Sequence, residues 1–315
     1  MDELLNVTYI TIDGYVEINK YRYVYFYCMF IVYILIICSN STIVYLICIH
    51  KKLHEPMYIF IAALLVNCAL YTTSVFPKFL IDFLSEKQII SYSACIFQYF
   101  LFYTLACSEF FLLAAMAFDR YVAICKPLQY PTIMSKTTVS IFLVTAWLFP
   151  ALHVAVPAVL TAEAKLCSFN VKAIFCSNAI YTLQCLKSQF FVVFGLVILV
   201  DLVMLPLIFI VFTYTKIFIV SYQSCKEIRK KATETCLPHL SVLISFSCLG
   251  LYDVIGARVE SDFSKTTRLM MTIQAVLYHP LFNPFIYGLK MKEISKHLKR
   301  LLCQAKIVSY TNTEC

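Results

Sequence analysis

The sequence predicts an all-α membrane protein, a bundle of seven transmembrane helices, and three observations support this. Apolar residues make up 61% of the 315 residues and charged residues only 14%, whereas soluble domains are about 45–50% apolar and about 25% charged. Mean hydropathy is +0.79. Seven apolar runs are long enough to cross a hydrocarbon core of about 30 Å. They span roughly residues 25–49, 57–80, 94–124, 138–160, 189–215, 236–257 and 269–288.

A β-barrel is the competing membrane class. Its strands would alternate apolar and polar residues with a period of two, but stretches such as FFVVFGLVILV (190–200) do not alternate. A helix satisfies its own backbone hydrogen bonds in lipid, so each run is interpreted as a helix. The predicted organisation is an extracellular N-terminus (1–24), the helical domain (25–288), and a cytoplasmic amphipathic helix and tail (289–315).

The basic residues predict the orientation of the bundle. With the N-terminus outside, 16 of the 26 Lys and Arg residues fall in the inner segments 51–52, 120–136, 216–231 and 290–306. The side richer in Lys and Arg is the cytoplasmic one. Anionic lipid of the inner leaflet explains this basic surplus, so no nucleic-acid partner is expected. The acidic start of the chain also argues against a cleavable signal peptide.

The third predicted helix carries two charges at informative positions. Cys95 and Arg120 are 25 residues apart, or about 37 Å along a helix, so they mark its outer and inner ends. Glu109 precedes Arg120 by 11 residues, which is close to three turns, and therefore lies on the same face. A carboxylate at membrane depth faces the bundle interior and indicates a functional site.

Four motifs occur in order along the chain: LHEPMYIF (53–60), MAFDRYVAICKPLQY (116–130), KATETCLPHL (231–240) and PLFNPFIYGLK (280–290). Together they resemble the odorant (olfactory) receptor family of the rhodopsin-like, class A, G-protein-coupled receptors. The resemblance covers about residues 20–300. The forms LHEPMYIF, FPKFL (76–80) and TCLPHL (235–240) are similar to the fish type.

The resemblance implies a receptor rather than an enzyme, located in the plasma membrane of an olfactory sensory neuron. Its partners would be a small-molecule odorant, bound in the outer half of the bundle, and a heterotrimeric G-protein of the olfactory, stimulatory type at the cytoplasmic face. In this family the arginine matching Arg120 pairs with its neighbouring acid at rest and faces the G-protein on activation. The implied switch residues are Asp119, Arg120, Tyr121, Asn283, Pro284 and Tyr287.

Simpler interpretations of the switch residues remain open. Arg120 could be an interfacial anchor that extends to lipid headgroups. Pro284 could simply kink the last helix, because proline removes one backbone hydrogen bond.

Four of the 15 cysteines lie towards the predicted outer side: Cys95 at the outer end of the third helix, and Cys167, Cys176 and Cys185 in the outer loop 161–188. An external loop is an oxidising setting, and four cysteines allow three pairings. The resemblance selects Cys95–Cys176, with Cys167–Cys185 as a second bridge. Zinc is the alternative, although no His stands in that loop and a regular spacing of nine is not a zinc-ligand pattern.

The expected ligand chamber is apolar and aromatic, which suits a small organic molecule. Helix–helix packing is the alternative role for each candidate. Asp201 could bind a cationic or hydroxyl-bearing ligand, or bond to a neighbouring helix. The ligand-binding candidates are Phe102, Tyr103, Ala106, Cys107, Asp201, Gly250, Leu251, Val254, Ile273 and Val276.

The sequence also suggests an ion site and two modifications. Rhodopsin-like receptors usually carry a sodium-holding aspartate where this chain has Cys68, so a sodium site would rely on Glu109, Asn40 and Asn283. No other cofactor or metal is expected. Asn6 begins a glycosylation sequon. Residues 289–302 have the spacing of an amphipathic helix on the membrane surface, and Cys303 at its end is a palmitoylation candidate.

Three other function classes compete with the receptor interpretation. An intramembrane protease needs paired catalytic residues at depth, but the two acids predicted at mid-membrane, Glu109 and Asp201, do not stand in such a motif. A channel or transporter would show internal repeats and broken helices, which five glycines and no visible repeat do not favour. A scaffold without signalling would be separated from a receptor by basal guanine-nucleotide exchange.

Overall fold

The computed structural model describes residues 8–185, 189–223, 236–237, 240, 242–244, 247 and 264–301. Within them the chain is mainly helical. The long helices are α1 (Ile18–Ile49), α2 (Pro56–Leu84), α3 (Tyr92–Cys125), α4 (Lys136–Ala162), α5 (Gln189–Tyr222) and α6 (Lys265–Lys290). Helix α5 changes from α-helix to a π-helical segment at Leu199–Met204 and back to α-helix at Leu205.

Helices α1 to α5 account for five candidate membrane spans by length and apolar composition. They correspond to the first five predicted helices, and α6 lies where the seventh was predicted. The predicted sixth helix, 236–257, is described only in part: residues 236, 237, 240, 242–244 and 247 are helical. Residues 248–257, together with Gly250, Leu251 and Val254, lie outside the described part of the chain.

Several helices extend past the bounds predicted from hydropathy, because a helix need not end where the hydrocarbon ends. Helix α1 begins at Ile18 instead of 25, and α5 continues to Tyr222 instead of 215. The second predicted helix ends at 80, whereas α2 continues to Leu84. Asp82 lies in the last turn of α2 and is 1% exposed.

Polar residues define the helix starts. The hydroxyl oxygens of Ser91, Ser135 and Ser264 accept hydrogen bonds from the backbone N–H groups three residues later, at the N-termini of α3, α4 and α6. Serine is favoured here because it satisfies an N–H group that has no partner within the helix. Pro56 begins α2, where a missing N–H costs nothing.

Residues 9–12 form the centre of a small sheet that the sequence did not predict. It lies at the end of the bundle expected to be extracellular, which is called outer here, and the opposite end is called inner. Strand β1 (Tyr9–Ile12) lies between β2 (Ile89–Ser91) and β3 (Asn170–Val171). It pairs antiparallel with β2 and parallel with β3. Within the predicted extracellular N-terminus, residues 9–12 are therefore hydrogen-bonded to the strands at 89–91 and 170–171.

Buried apolar side chains form an outer and an inner cluster. The outer one includes Phe102 and Phe175, and the inner one includes Met116 and Tyr287. Helix α3 contributes to both clusters and packs against α2, α4 and α5. Between the two clusters along their helices lie four buried polar residues, here called the polar layer: Asn40, Asn67, Glu109 and Asn283.

The inner surface carries short helical turns. They occupy Lys51–Leu53, Pro127–Gln129 and Tyr130–Ile133, and residues 292–301 after α6 are also helical. The turn at Tyr130–Ile133 folds back beside the inner end of α3, where it completes the site described next.

Candidate functional site

The inner end of α3 holds a buried carboxylate with both oxygens engaged. Asp119 is fully buried. The Nε of Arg120 donates to its Oδ2 at 2.9 Å, and a terminal guanidinium nitrogen contacts the same oxygen. The hydroxyl of Tyr130 donates to its Oδ1 at 2.7 Å. Charge-assisted bonds of this kind are stronger than bonds between neutral groups, so they hold the guanidinium against α3.

Tyr130 is a residue of this site that the sequence interpretation missed. Burial, followed by its hydrogen bond to Asp119, raises the pKa of the Tyr130 hydroxyl above its usual value. Its proton is therefore retained at physiological pH, and the hydroxyl is a permanent donor. The signal was present in the sequence, because Tyr130 closes the same motif that contains Asp119 and Arg120.

The remaining predicted switch residues lie at two depths in the bundle. Tyr121 is half-buried and packs against the inner cluster, to which Tyr287 belongs with 0% exposure. Asn283 and Pro284 are buried within α6. The structure thus places Tyr121 and Tyr287 at one cluster, whereas Asn283 is engaged deeper in the bundle.

A buried polar contact joins α6 to α3 and α2 between the outer and inner clusters. The Nδ2 of Asn283 donates to Glu109 Oε1 at 3.1 Å and to the sulfur of Cys68 at 3.2 Å. The Nδ1 of His279 lies 3.8 Å from the same Glu109 oxygen. Glu109 is 2% exposed. It faces the bundle interior, as the helical spacing predicted.

The predicted sodium ligands are only partly brought together. The Nδ2 of Asn40 donates to the carbonyl oxygens of Ile36 and Pro280, both at 2.8 Å, so this side chain is engaged away from Glu109. Hard cations take oxygen ligands, whereas Asn283 and His279 direct nitrogen atoms at the Glu109 carboxylate. Among the described residues, His, Cys, Asp and Glu do not assemble in groups of three that could hold a metal ion. These surroundings do not fit sodium, and its binding stays a prediction.

The ligand candidates of α3 lie under the outer loop. Phe102 packs on Phe175 with ring centroids 4.6 Å apart, and the Tyr103 hydroxyl accepts a hydrogen bond from the Asn178 N–H at 3.2 Å. Cys107 is buried, and Ala106 packs against the same outer cluster. Ile273 and Val276 of α6 belong to this cluster or its edge. The structure therefore brings together candidates from two helices.

Two tyrosines that sequence reasoning did not select join α3 to the outer loop. The hydroxyls of Tyr99 and Tyr181 lie 2.6 Å apart. Tyr181 also packs on Phe191 of α5, with ring centroids 4.9 Å apart. A loop residue that contacts two helices carries no periodic pattern, so no sequence signal pointed to this contact.

Asp201 lies apart from this group. It is in the π-helical segment of α5, and its carboxylate is 3.7 Å from His153 Nε2 of α4. Its side chain is 35% exposed. Of its two predicted roles, the contact favours bonding to a neighbouring helix. π-Helical turns often mark functional positions.

Both disulfides that the resemblance implies are present in the structure. Cys95–Cys176 joins the outer end of α3 to the outer loop, and Cys167–Cys185 closes the loop on itself. The backbone N–H of Cys176 also donates to Gln98 Oε1 at 3.1 Å. The loop is therefore attached to α3 covalently and by hydrogen bonds. The modification candidates Asn6 and Cys303 lie outside the described residues.

Comparison with known proteins gives the family. A sequence profile of the olfactory receptor family matches residues 27–305. Human olfactory receptor 11A1 is 33% identical over 94% of this chain and 94% of its own length, and human olfactory receptor 13C2 is 34% identical over 88% and 90%. Mouse olfactory receptor 2A7 is 35% identical over 86% and 87%. The chain therefore belongs to the olfactory receptor family: it is an odorant-sensing G-protein-coupled receptor of the plasma membrane, which it crosses several times, and not an enzyme.

Proposed function

We propose that this receptor crosses the membrane seven times with its N-terminus outside, binds a small organic odorant in the outer half of the bundle, and activates a stimulatory, olfactory-type G-protein. The N-terminal strand, the disulfides and the aromatic α3 residues then lie on the extracellular side. The Asp119–Arg120 pair lies on the cytoplasmic side. The excess of Lys and Arg at that end supports this orientation.

One observation supports the coupling role above all: Asp119 is buried, with Arg120 and Tyr130 occupying both of its oxygens. An anchor that reaches for lipid headgroups would extend its guanidinium outward. Arg120 is instead held back against α3, with its side chain 17% exposed. This is the resting arrangement, and Arg120 reaches the G-protein when the inner helix ends separate and the Asp119 bonds break.

The odorant would contact the surface between α3 and the outer loop. Phe102 and Tyr103 present aromatic groups there, Val276 of α6 adds an apolar group from the same outer cluster, and the neighbouring tyrosine hydroxyls supply directional contacts. Such a combination binds a small molecule by burying its surface and orienting its few polar atoms.

The test is cyclic AMP production in cells that also express an olfactory-type stimulatory G-protein. Wild type, Arg120→Ala and Lys52→Ala would be exposed to the same panel of volatile and water-soluble odorants. Lys52→Ala is the matched control, because it removes an exposed inner-surface charge in the turn after α1. Surface expression is measured for all three through an N-terminal tag in unpermeabilised cells, which also tests the orientation.

We expect agonists to raise cyclic AMP in wild type and Lys52→Ala, and Arg120→Ala to lose the response at equal surface expression. Equal responses in all three proteins would mean that Arg120 is an anchor. A tag detected only after permeabilisation would overturn the orientation.

A further inference from the structure

The N-terminal segment 8–16, here called the clasp, is bonded to both neighbouring outer loops. The Thr11 N–H donates to the Phe169 carbonyl at 2.7 Å, and the Asp13 N–H donates to the Val171 carbonyl at 2.8 Å. On its other side, the Ile12 N–H donates to the Gln88 carbonyl at 2.8 Å. The clasp is therefore the central strand of the outer sheet, and the other strands reach each other through it.

A buried tyrosine fixes the end of the clasp. Tyr15 is 7% exposed. Its hydroxyl lies 3.1 Å from Asp82 Oδ2 of α2 and 3.2 Å from the carbonyl oxygen of Ile174. Burial, followed by the charge of Asp82, raises the pKa of Tyr15 well above its usual value, so the hydroxyl stays a donor. Tyr15 thus joins α2 to the outer loop.

The clasp also lies directly on the backbone of the outer loop. A Cβ atom added at Gly14 would fall 2.3 Å from the carbonyl carbon of Ala173 and 2.5 Å from the nitrogen of Ile174. Those distances leave no space for a side chain. Glycine is required here by the close approach of two backbones.

An ion pair connects the clasp to α6. The Nζ of Lys265, the first residue of α6, lies 2.7 Å from Asp13 Oδ1. Ile273 and Val276 follow on the same helix, about 12 and 17 Å further in at 1.5 Å per residue. The clasp therefore contacts the outer end of a helix that carries two ligand candidates.

The outer loop held by the clasp covers the ligand candidates of α3. Phe175 packs on Phe102, and the Asn178 N–H donates to the Tyr103 hydroxyl. A shift of the clasp would change how this loop lies on α3. The same shift would move the anchor point of α6.

We propose that the clasp is a positioning element for odorant binding: it holds the outer loop against α3 and links that loop to α6 through Asp13 and Lys265. The inference rests on the proposed function in placing the odorant beneath the outer loop. Residues 8–16 themselves need not touch the odorant. They set the distance between the two surfaces that touch the odorant, the outer loop on α3 and helix α6. A disturbed clasp therefore lowers agonist potency without blocking G-protein coupling.

Hydrogen–deuterium exchange tests this without a ligand or a G-protein. The purified full chain in lipid nanodiscs would be compared as wild type, Asp13→Lys, the charge swap Asp13→Lys with Lys265→Asp, and Glu17→Gln. Glu17→Gln is the matched control, since Glu17 is an exposed acid four residues away whose 3.8 Å ion pair with Lys20 stays within its own segment. The readout is exchange in outer-loop peptides containing the N–H groups of Cys176 and Asn178.

We expect Asp13→Lys to speed exchange of these peptides about two- to fivefold, the range set by an exposed ion pair, and the charge swap to restore the wild-type rate. Glu17→Gln should leave it unchanged. Peptides from the inner halves of α2 and α3 should exchange alike in all four proteins, which separates repositioning from general destabilisation. Unchanged outer-loop exchange in Asp13→Lys, or equal acceleration in Glu17→Gln, would overturn the proposal.

Tyr15→Phe is the second variant. It keeps the ring packing on Phe83, at 5.5 Å between centroids, and removes the hydroxyl that bridges Asp82 and Ile174. We expect it to speed outer-loop exchange about tenfold, as for loss of a hydrogen bond to a charged group. With an agonist from the odorant panel, both single variants should raise the EC50 and keep the maximal cyclic AMP response. If no odorant of the panel raises cyclic AMP in the wild type, that result counts against the proposed function and the exchange data still decide on the clasp. Unchanged exchange or an unchanged EC50 counts against the clasp.

Discussion

Removing the Tyr130 hydroxyl should raise the basal activity of the receptor. Tyr130→Phe deletes the 2.7 Å hydrogen bond to Asp119 Oδ1 and keeps the ring. A hydrogen bond to a charged group contributes about 1.5–3 kcal/mol, and the lower figure applies because Tyr130 is half-exposed. If this bond is present only in the resting receptor, its loss destabilises that state by about 1.5 kcal/mol. The ratio of active to resting receptor then rises roughly tenfold.

The assay is basal cyclic AMP at matched surface expression, scaled to the maximal agonist response. A receptor that is about 1% active without ligand should become about 10% active after a tenfold shift. Tyr222→Phe is the control, because Tyr222 is also a tyrosine at the inner surface but is 78% exposed at the end of α5. Its loss of a hydroxyl should leave basal activity unchanged.

A double-mutant cycle with Asp119→Asn tests the physical reason. Tyr130 and Asp119 share one hydrogen bond. The double variant should therefore change the free-energy difference between active and resting receptor by less than the sum of the two single variants. Basal activity within twofold of wild type in Tyr130→Phe, or strictly additive effects in the cycle, would refute the claim that this bond holds the resting state.

Three further outcomes follow from the geometry. Gly14→Ala should lower the thermal unfolding temperature in detergent, because the new Cβ would clash with the outer-loop backbone. An unchanged temperature would contradict this, since the loop backbone would then move away from the new Cβ without loss of stability. Replacing both Cys167 and Cys185 by Ser should lower the free energy of unfolding by about 3 kcal/mol, as for a disulfide that closes a loop near this length; mild reduction should then destabilise the wild type more than this variant, which keeps Cys95–Cys176. Exchanging sodium for potassium should leave agonist EC50 unchanged, because Asn283 donates to Glu109 where an ion would bind; a sodium-dependent shift abolished by Glu109→Gln would establish the ion site.

Hydropathy and charge predicted the helices and their expected orientation because lipid imposes both on the sequence. A membrane-spanning run must be apolar throughout, so α1 to α5 are recognisable from residue composition alone. Helical spacing was enough to place Glu109 on the inward face as well. The same criterion ended the second helix at 80, short of Asp82 in the last turn of α2, because a helix that continues past the hydrocarbon changes composition without changing conformation.

The contacts that sequence reasoning missed join residues far apart in the chain. Tyr15 meets Asp82 across 67 residues and Ile174 across 159. Tyr181 meets Tyr99 across 82. None of these contacts produces a sequence period of two or 3.6 residues, because each depends on where a loop or strand returns to the bundle. Tyr130 is different, since it was close in sequence to Asp119 but needed the turn at Tyr130–Ile133 to bring its hydroxyl to the carboxylate.

The polar layer between the two clusters determines how a signal can cross the receptor. Apolar packing tolerates small sliding movements, whereas the 3.1 Å bond from Asn283 to Glu109 is lost when α6 shifts by an ångström or two relative to α3. The same α6 is tied at its outer end to Asp13 and carries Tyr287 into the inner cluster. Because one helix spans the clasp, the polar layer and the inner cluster, a ligand that repositions its outer end acts directly on the Asn283 bond. The discrete element that separates the resting and active states is therefore expected at Asn283 and Glu109, with the Asp119 bonds breaking as its consequence at the inner surface.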